Sequence, residues 1–221
     1  MGVARSPRTR VRRAPQKARY DEATVHAIID AVVFCHVGTV LGDTGDVVVL
    51  PFLSARDGDV VYLHGSRSNR LLRALLDAER VCATFTSFEG LRVARTGFHS
   101  SVAYRSVVAY GPVHEVTEPA DRARALDALV EATLPGRTGE IRQPNATELA
   151  LTTVVALTIE EASAKVSVGP TEDADEDVTS PVWAGDVPCA VVYGAPEGAT
   201  DGAMASGQVP VPQSVLRLLA R

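Results

Sequence analysis

The sequence predicts a mainly β protein, a closed or half-closed antiparallel barrel with flanking helices, and three observations carry that expectation. Six strand-like runs follow one another between residues 32 and 116, with turn signals between them. Only one short helical pattern interrupts them, between the third and fourth runs, so the strand–helix alternation of a doubly wound sheet is missing. At 221 residues the chain is long enough to bury a full core as one domain with appendages.

The elements follow in order. Residues 1–19 hold Arg5, Arg8, Arg10, Arg12, Arg13, Lys17 and Arg19 and no acid, a charge of +7 that leaves −12 on the remainder of a chain of formal charge −5. Dense like charge with little apolar content predicts a disordered basic arm. The twin arginines at 12 and 13 precede no apolar segment, so an export signal is not expected. No aromatic residue interleaves the arginines before Tyr20, so nucleic-acid binding is not expected either.

In "DEATVHAIIDAV", Val25, Ile28, Ile29 and Val32 recur at helical spacing behind acidic residues that suit a helix start. "VVFCHVGTV", "DVVVLPFLSA" and "DVVYLHG" then read as three strands of a meander, parted by "GDTG" and "RDGD". A helix runs from about Asn69 to Leu76. "RVCATFTSF" and "LRVART" read as a hairpin turning at "EG", and "YRSVVAYGPVHEV" as a long strand. "PADRARALDALVEATL" is a second helix, covering one mouth or flank of the barrel with Ala125, Leu126 and Leu129. "TVVALTIEEASAKVSVG" returns as a strand, "PTEDADED" as a solvated acidic loop, and residues 196–221 as an extended tail ending in a turn or two of helix at "SVLRLLAR". The expected division is therefore an arm at 1–19, a domain at 20–195 and a tail at 196–221.

Cys35, Cys82 and Cys189 are an odd number with no C-x-x-C pair, which fits a reducing cytoplasm. No apolar run is long enough for a membrane span. The five histidines lack the H-x-x-x-H or H-x-H spacing of a metal centre, so none is expected.

The turn within "YLHGSRSNRLLRAL", residues 62–75, concentrates the chemistry. A strand ends at His64, Gly65 permits close backbone approach, and Ser66, Arg67, Ser68, Asn69 and Arg70 crowd the start of the next helix. Two readings stand on the residues alone: a capped helix with solvated arginines, or a site for one phosphate.

The order of "LPFLSARDGDVVYLHGS", a helix, "RVCATFT", "LRVARTGFHSSVAYRSVVAYGPVHEV", "SAKVSVGP" and "PVWAGDVP" resembles the flavin-binding split-barrel superfamily of pyridoxamine 5′-phosphate oxidase, over about residues 19–193. Within it, the chain is most similar to the nitroimidazole-resistance branch. The resemblance implies a six-stranded antiparallel split barrel that pairs into a homodimer and binds FMN in two interface clefts. It puts the phosphate clamp on Ser66, Ser68, Asn69 and Arg70. It places the branch's N-Y-R-S segment on Ala103, Tyr104, Arg105 and Ser106, with alanine in place of asparagine. Trp183 would pack against the flavin edge from the partner subunit, Leu50, Pro51 and Phe52 would run beside the ring, and His64 would belong to the active site.

Elementary chemistry is compatible with those positions. A phosphate close to a dianion suits Arg70 with several hydroxyl and N–H donors, each such bond contributing roughly 1.5–3 kcal/mol. Tyr104 and Arg105 suit the flavin edge that gains negative charge on reduction. An imidazole at His64 could donate a proton to a reduced substrate. No glycine-rich dinucleotide loop follows a strand, which favours FMN over FAD. The expected function is thus an FMN-dependent oxidoreductase reducing a small organic acceptor, such as a nitroaromatic compound. The alternative is a non-catalytic protein that binds or senses flavin, haem or deazaflavin.

Overall fold

The computed structural model describes residues 6–207 and 209–220. Its elements in chain order are β1 (Ala18–Arg19), α1 (Glu22–Asp30), β2 (Phe34–Val40), β3 (Val47–Asp57), β4 (Val60–Ser66), α2 (Arg70–Asp77), β5 (Val81–Val93), β6 (Ser101–Gly111) and β7 (Val113–Glu115). There follow α3 (Pro119–Thr133), α4 (Ala146–Leu151), β8 (Thr152–Thr158), β9 (Glu161–Ser167), β10 (Gly185–Pro188) and α5 (Gln213–Leu219). All strand pairs are antiparallel, in the order β1-β9-β6-β5-β2-β3-β4-β8-β7, with β10 added to the far end of β5. This is the antiparallel split barrel expected. Among the described residues its strands number ten rather than six: two of the expected runs merge into β5, the return segment forms the β8–β9 hairpin, and two- to four-residue strands, too short to carry a pattern, add β1, β7 and β10.

Two sheets share β3, whose residues up to Leu53 pair with β2 and whose residues from Ser54 pair with β4. On the opposite side the chain changes sheets twice at one spot, from β6 into β7 and from β8 into β9. There Thr158 N–H donates to the Pro112 carbonyl at 3.1 Å and Glu160 N–H to the Tyr110 carbonyl at 3.0 Å. A Cβ on Gly111 would stand 1.7 Å from the Thr158 carbonyl oxygen, so only glycine lets the crossings close.

Alternation along the strands builds the core. Val61, Leu63, Val155 and Leu157 point into the barrel with Cys35, Val37, Phe85 and Val107, while Tyr62, Val154 and Ala156 point outward beneath Ala125 and Leu129 of α3. Val25, Ile28 and Ile29 of α1 and Leu71, Leu72 and Leu75 of α2 enter the inner cluster. Asp21 caps α1 by accepting from Thr24 N–H at 2.9 Å. The sequence reading missed α4, although its N-x-x-E capping box, Asn145 with Glu148, is a recognisable start signal.

Four stretches make contacts that the sequence alone does not give them. Residues 6–19 are not a free arm: Ser6 donates to Glu161, Arg8 pairs with Glu161 at 3.7 Å and lies 5.4 Å from the centre of the Tyr110 ring, Lys17 donates to Ser167 at 3.1 Å, and Thr9 is buried. The acidic body attracts the arginines, and β1 then pairs with β9. Residues 1–5 of that arm lie outside the described residues. The hairpin expected at Glu89–Gly90 is instead one continuous strand, β5, bulged at that point; Gly90 has φ 150° and backs onto β10, where a Cβ would meet the Val187 carbonyl oxygen at 2.4 Å. The acidic loop is anchored, with Asp173 accepting from the backbone and guanidinium of Arg95, both at 2.6 Å. The tail also docks, Ser214 N–H donating to Glu140 at 2.9 Å. No described helix is long and apolar enough to cross a membrane.

Replacing Gly111 with alanine should cost about 3 kcal/mol, since backbone cannot move aside as a side chain can, and should lower Tm by roughly 6–12 °C. Gly139→Ala, with no neighbour within 4 Å of the added Cβ, is the control and should leave Tm within about 1 °C by calorimetry.

Candidate functional site

The turn after β4 is shaped by its backbone. Arg67 N–H donates to the Leu151 carbonyl at 3.0 Å and Asn69 N–H to the Ser66 carbonyl at 2.8 Å, which folds the turn tightly onto the start of α2. The Asn69 side-chain oxygen accepts from Leu71 N–H at 2.9 Å and Leu72 N–H at 3.4 Å, so it serves as the helix cap. Gly65 lets that first turn close on β4; a Cβ there would lie 3.0 Å from Leu72 Cδ1. Ser66 and Ser68 hydroxyls meet at 2.9 Å on the exposed side. Arg73 Nη2 donates to the Ser68 carbonyl at 2.9 Å, and Arg70 Nη2 to Asp43 at 2.6 Å. The Arg70–Asp43 pair is well exposed, and such pairs contribute little, so a doubly charged anion can draw the guanidinium away. The Ser66 and Ser68 hydroxyls and the Arg73 guanidinium thus meet at one surface turn, with Arg70 at the adjoining helix start held by Asp43, a donor set that suits a phosphate.

His64 stands two residues before Ser66, on the outward face it shares with Tyr62. It lines a cavity of about 470 Å³ with Leu126, Val130, Ile141, Arg142 and Leu149. Its Nδ1 is buried and has no hydrogen-bond partner among the described residues. Burial lowers the His64 pKa below its ordinary value, so at neutral pH the ring is neutral. A proton-donating role needs the imidazolium, which this setting disfavours.

The other expected residues are dispersed. Leu50 and Pro51 are exposed on β3 opposite Val37 and His36, whereas Phe52 is buried in the barrel core and presents no ring to a surface ligand. Tyr104, Arg105 and Ser106 lie on β6 opposite Phe88, Ser87 and Thr86, with Arg105 Nε 3.4 Å from Glu89. None of them contributes to the cavity beside His64. Trp183 is 64% exposed and covers Gly185, the first residue of β10. The sequence reading missed a second cavity of about 770 Å³ on the outer face of the larger sheet, lined by Arg8, His36, Val40, Val49, Arg80 and Tyr110, because one wall comes from the arm.

Glu22, His26 and Asp59 also gather at one place. His26 Nε2 is 3.2 Å from Asp59 while Nδ1 is 3.8 Å from Glu22, so each carboxylate addresses a different ring nitrogen. That arrangement ties α1 to the β3–β4 turn.

Residues 21–166 match the family model described as pyridoxamine 5′-phosphate oxidase. The chain belongs to this family. No curated protein matches the sequence. Among solved structures, flavocytochrome Anf3 from Azotobacter vinelandii is 36% identical, with a TM-score of 0.87 and 96% of each chain covered. The FAD and haem binding protein from Mycobacterium smegmatis is also 36% identical, with a TM-score of 0.84, over 91% of this chain and 97% of that one. A candidate 5-nitroimidazole antibiotic resistance protein from Bacteroides thetaiotaomicron is 20% identical, with a TM-score of 0.57, over 67% of this chain and 86% of that one, a likeness of fold alone.

The burial of His64 has a thermodynamic signature. The unfolded chain protonates this residue near pH ~6.5, whereas the folded chain resists until a lower pH. The folded state therefore loses stability as pH falls below ~6.5. The stability of the parent relative to His64→Gln, measured by urea midpoints, should decline from pH ~7 to pH ~5. A constant difference across that range would refute the assignment.

Proposed function

We propose that this chain is a flavin-binding redox protein that also holds a haem and passes electrons between the two. The observation that carries this reading is the match, at 36% identity along 96% and 91% of the chain, to one protein named a flavocytochrome and another named for FAD and haem. The fold-only likeness to the nitroimidazole-resistance protein lends no comparable support to a nitroaromatic acceptor. When bound, a flavin supplies two-electron chemistry and a haem one-electron chemistry.

The chain's own residues have separable tasks. Ser66, Ser68 and Arg70 hold a phosphate at the start of α2, and Asn69 keeps that start in place as its cap. FMN, favoured on the sequence, needs only this turn. FAD fits better here, because Arg67 and Arg73 add two further cations beside it for a second phosphate. Tyr104, Arg105 and Ser106 sit on the other sheet, and in a pair of copies they would meet the flavin held at the partner's turn. Phe34, Val40, Val47, Val49 and Phe88 are exposed on that sheet, an apolar face suited to pairing two copies. The free Cys35, Cys82 and Cys189 suit a cytoplasmic setting.

A visible spectrum of the purified protein should carry flavin bands together with a Soret band, and the released flavin should have the mass of FAD. Release of FMN would restore the single-phosphate reading, and a colourless protein that takes up neither cofactor would refute the function proposed. Arg70→Ala should weaken flavin affinity by roughly ten- to a hundredfold, the equivalent of about 1.5–3 kcal/mol, as read by fluorescence quenching.

Sedimentation at micromolar concentration should give a dimer. Val49→Arg, which puts a charge on the apolar face, should yield monomers that remain folded by circular dichroism. A parent chain that sediments as a monomer while holding flavin tightly would contradict the pairing.

A further inference from the structure

We propose that the cavity between α3, α4 and the end of β4 is the haem seat, and that His64 supplies the imidazole ligand to its iron; this rests on the two-cofactor reading above. The alternation of β4 puts Leu63 in the barrel and His64 outside it, on the side covered by α3. The cavity there is about 470 Å³, within the ~300–1,000 Å³ of small-molecule sites, and Leu126, Val130, Ile141 and Leu149 give it apolar walls. Buried polar atoms are almost always paired, yet His64 Nδ1 has no partner among the described residues. Nδ1 is shielded by protein, so Nε2 is the ring nitrogen that a metal in the cavity would use. Arg142 and Gln143 border the same cavity and offer donors for the carboxylates of a haem, which would have to replace two carboxylates of the lining, Glu148, now holding Arg142 at 2.6 Å, and Asp127, now accepting from Gln143 at 3.4 Å.

Position favours this cavity over the larger one that contains His36. His64 and Ser66 lie two residues apart on one face of β4, so a haem here adjoins the flavin turn. The cavity at His36 lies instead on the exposed apolar sheet face that a second copy would cover.

The test is a haemin titration of the full-length chain, followed at the Soret band, for the parent, His64→Ala, His36→Ala and Val130→Trp. Circular dichroism and thermal unfolding confirm that each variant is folded. The parent should bind with a Soret band displaced from that of free haemin. His64→Ala should lose affinity by at least about tenfold and regain the parental spectrum when imidazole is added. Val130→Trp, which fills the cavity and keeps the histidine, should also lose affinity, and His36→Ala should match the parent. If His64→Ala binds haem with parental affinity and spectrum, or if His36→Ala alone loses it, the seat is elsewhere and the proposal fails. A parent chain that takes up no haem at all would instead overturn the two-cofactor reading itself.

Discussion

The barrel depends on a steric constraint at one crossing. Both connections that leave one sheet for the other, β6 to β7 and β8 to β9, pass through the space between Gly111 and Thr158, and the approach there leaves no room for a Cβ. Two backbone hydrogen bonds, Thr158 to Pro112 and Glu160 to Tyr110, satisfy the groups that the ladders release at the bend. From this corner β6 and β8 run in different sheets. On the other side the sheets remain joined only because β3 changes partner at Leu53–Ser54. The faces that carry Tyr104 and His64 are therefore set by where the backbone can cross.

The same geometry explains why the chemistry collects after β4. That strand ends at the rim, α2 must fold back at once to bury Leu71, Leu72 and Leu75, and Gly65 makes the tight return feasible. A strand forced to stop beside a forced helix start leaves the Ser66 and Ser68 hydroxyls exposed on one side, while Asn69 takes up the N–H groups of Leu71 and Leu72. On the outward face, α3 and α4 roof over the residues just before the stop, and His64 becomes half-enclosed. A rim of hydroxyl and guanidinium groups and a recess with apolar walls thus lie side by side as products of one chain reversal.

Local patterns were legible in the sequence where they carried their own physics. The helical spacing of Val25, Ile28 and Ile29, a capped helix start after Gly65, and the antiparallel meander of β2, β3 and β4 all appear in the structure as read. What could not be read depends on partners distant in sequence. "EG" within β5 has the composition of a turn, yet β10 arrives to pair there and the strand continues as a bulge. The arginines before residue 19 have the composition of a solvated tail, yet Glu161 and Tyr110 meet Arg8. Asp173 likewise looks like one acid in a solvated run until Arg95 is seen beside it. At the candidate site, the turn at Ser66–Asn69 was foreseeable from residue types. The enclosure of His64 and the burial of Phe52 required the packing of α3 and the register of β3.

The pairing of β1 with β9 bears on how the chain is made. Ala18 lies opposite Lys165, so β1 leaves the ribosome long before its partner strand does. Contacts between such distant segments form late, after the entropy of closing a long loop has been overcome. During synthesis the arginine-rich start therefore stays unattached while the central strands assemble around α1 and α2. Its attachment to β9 comes late in folding, as a step that joins segments far apart in the sequence.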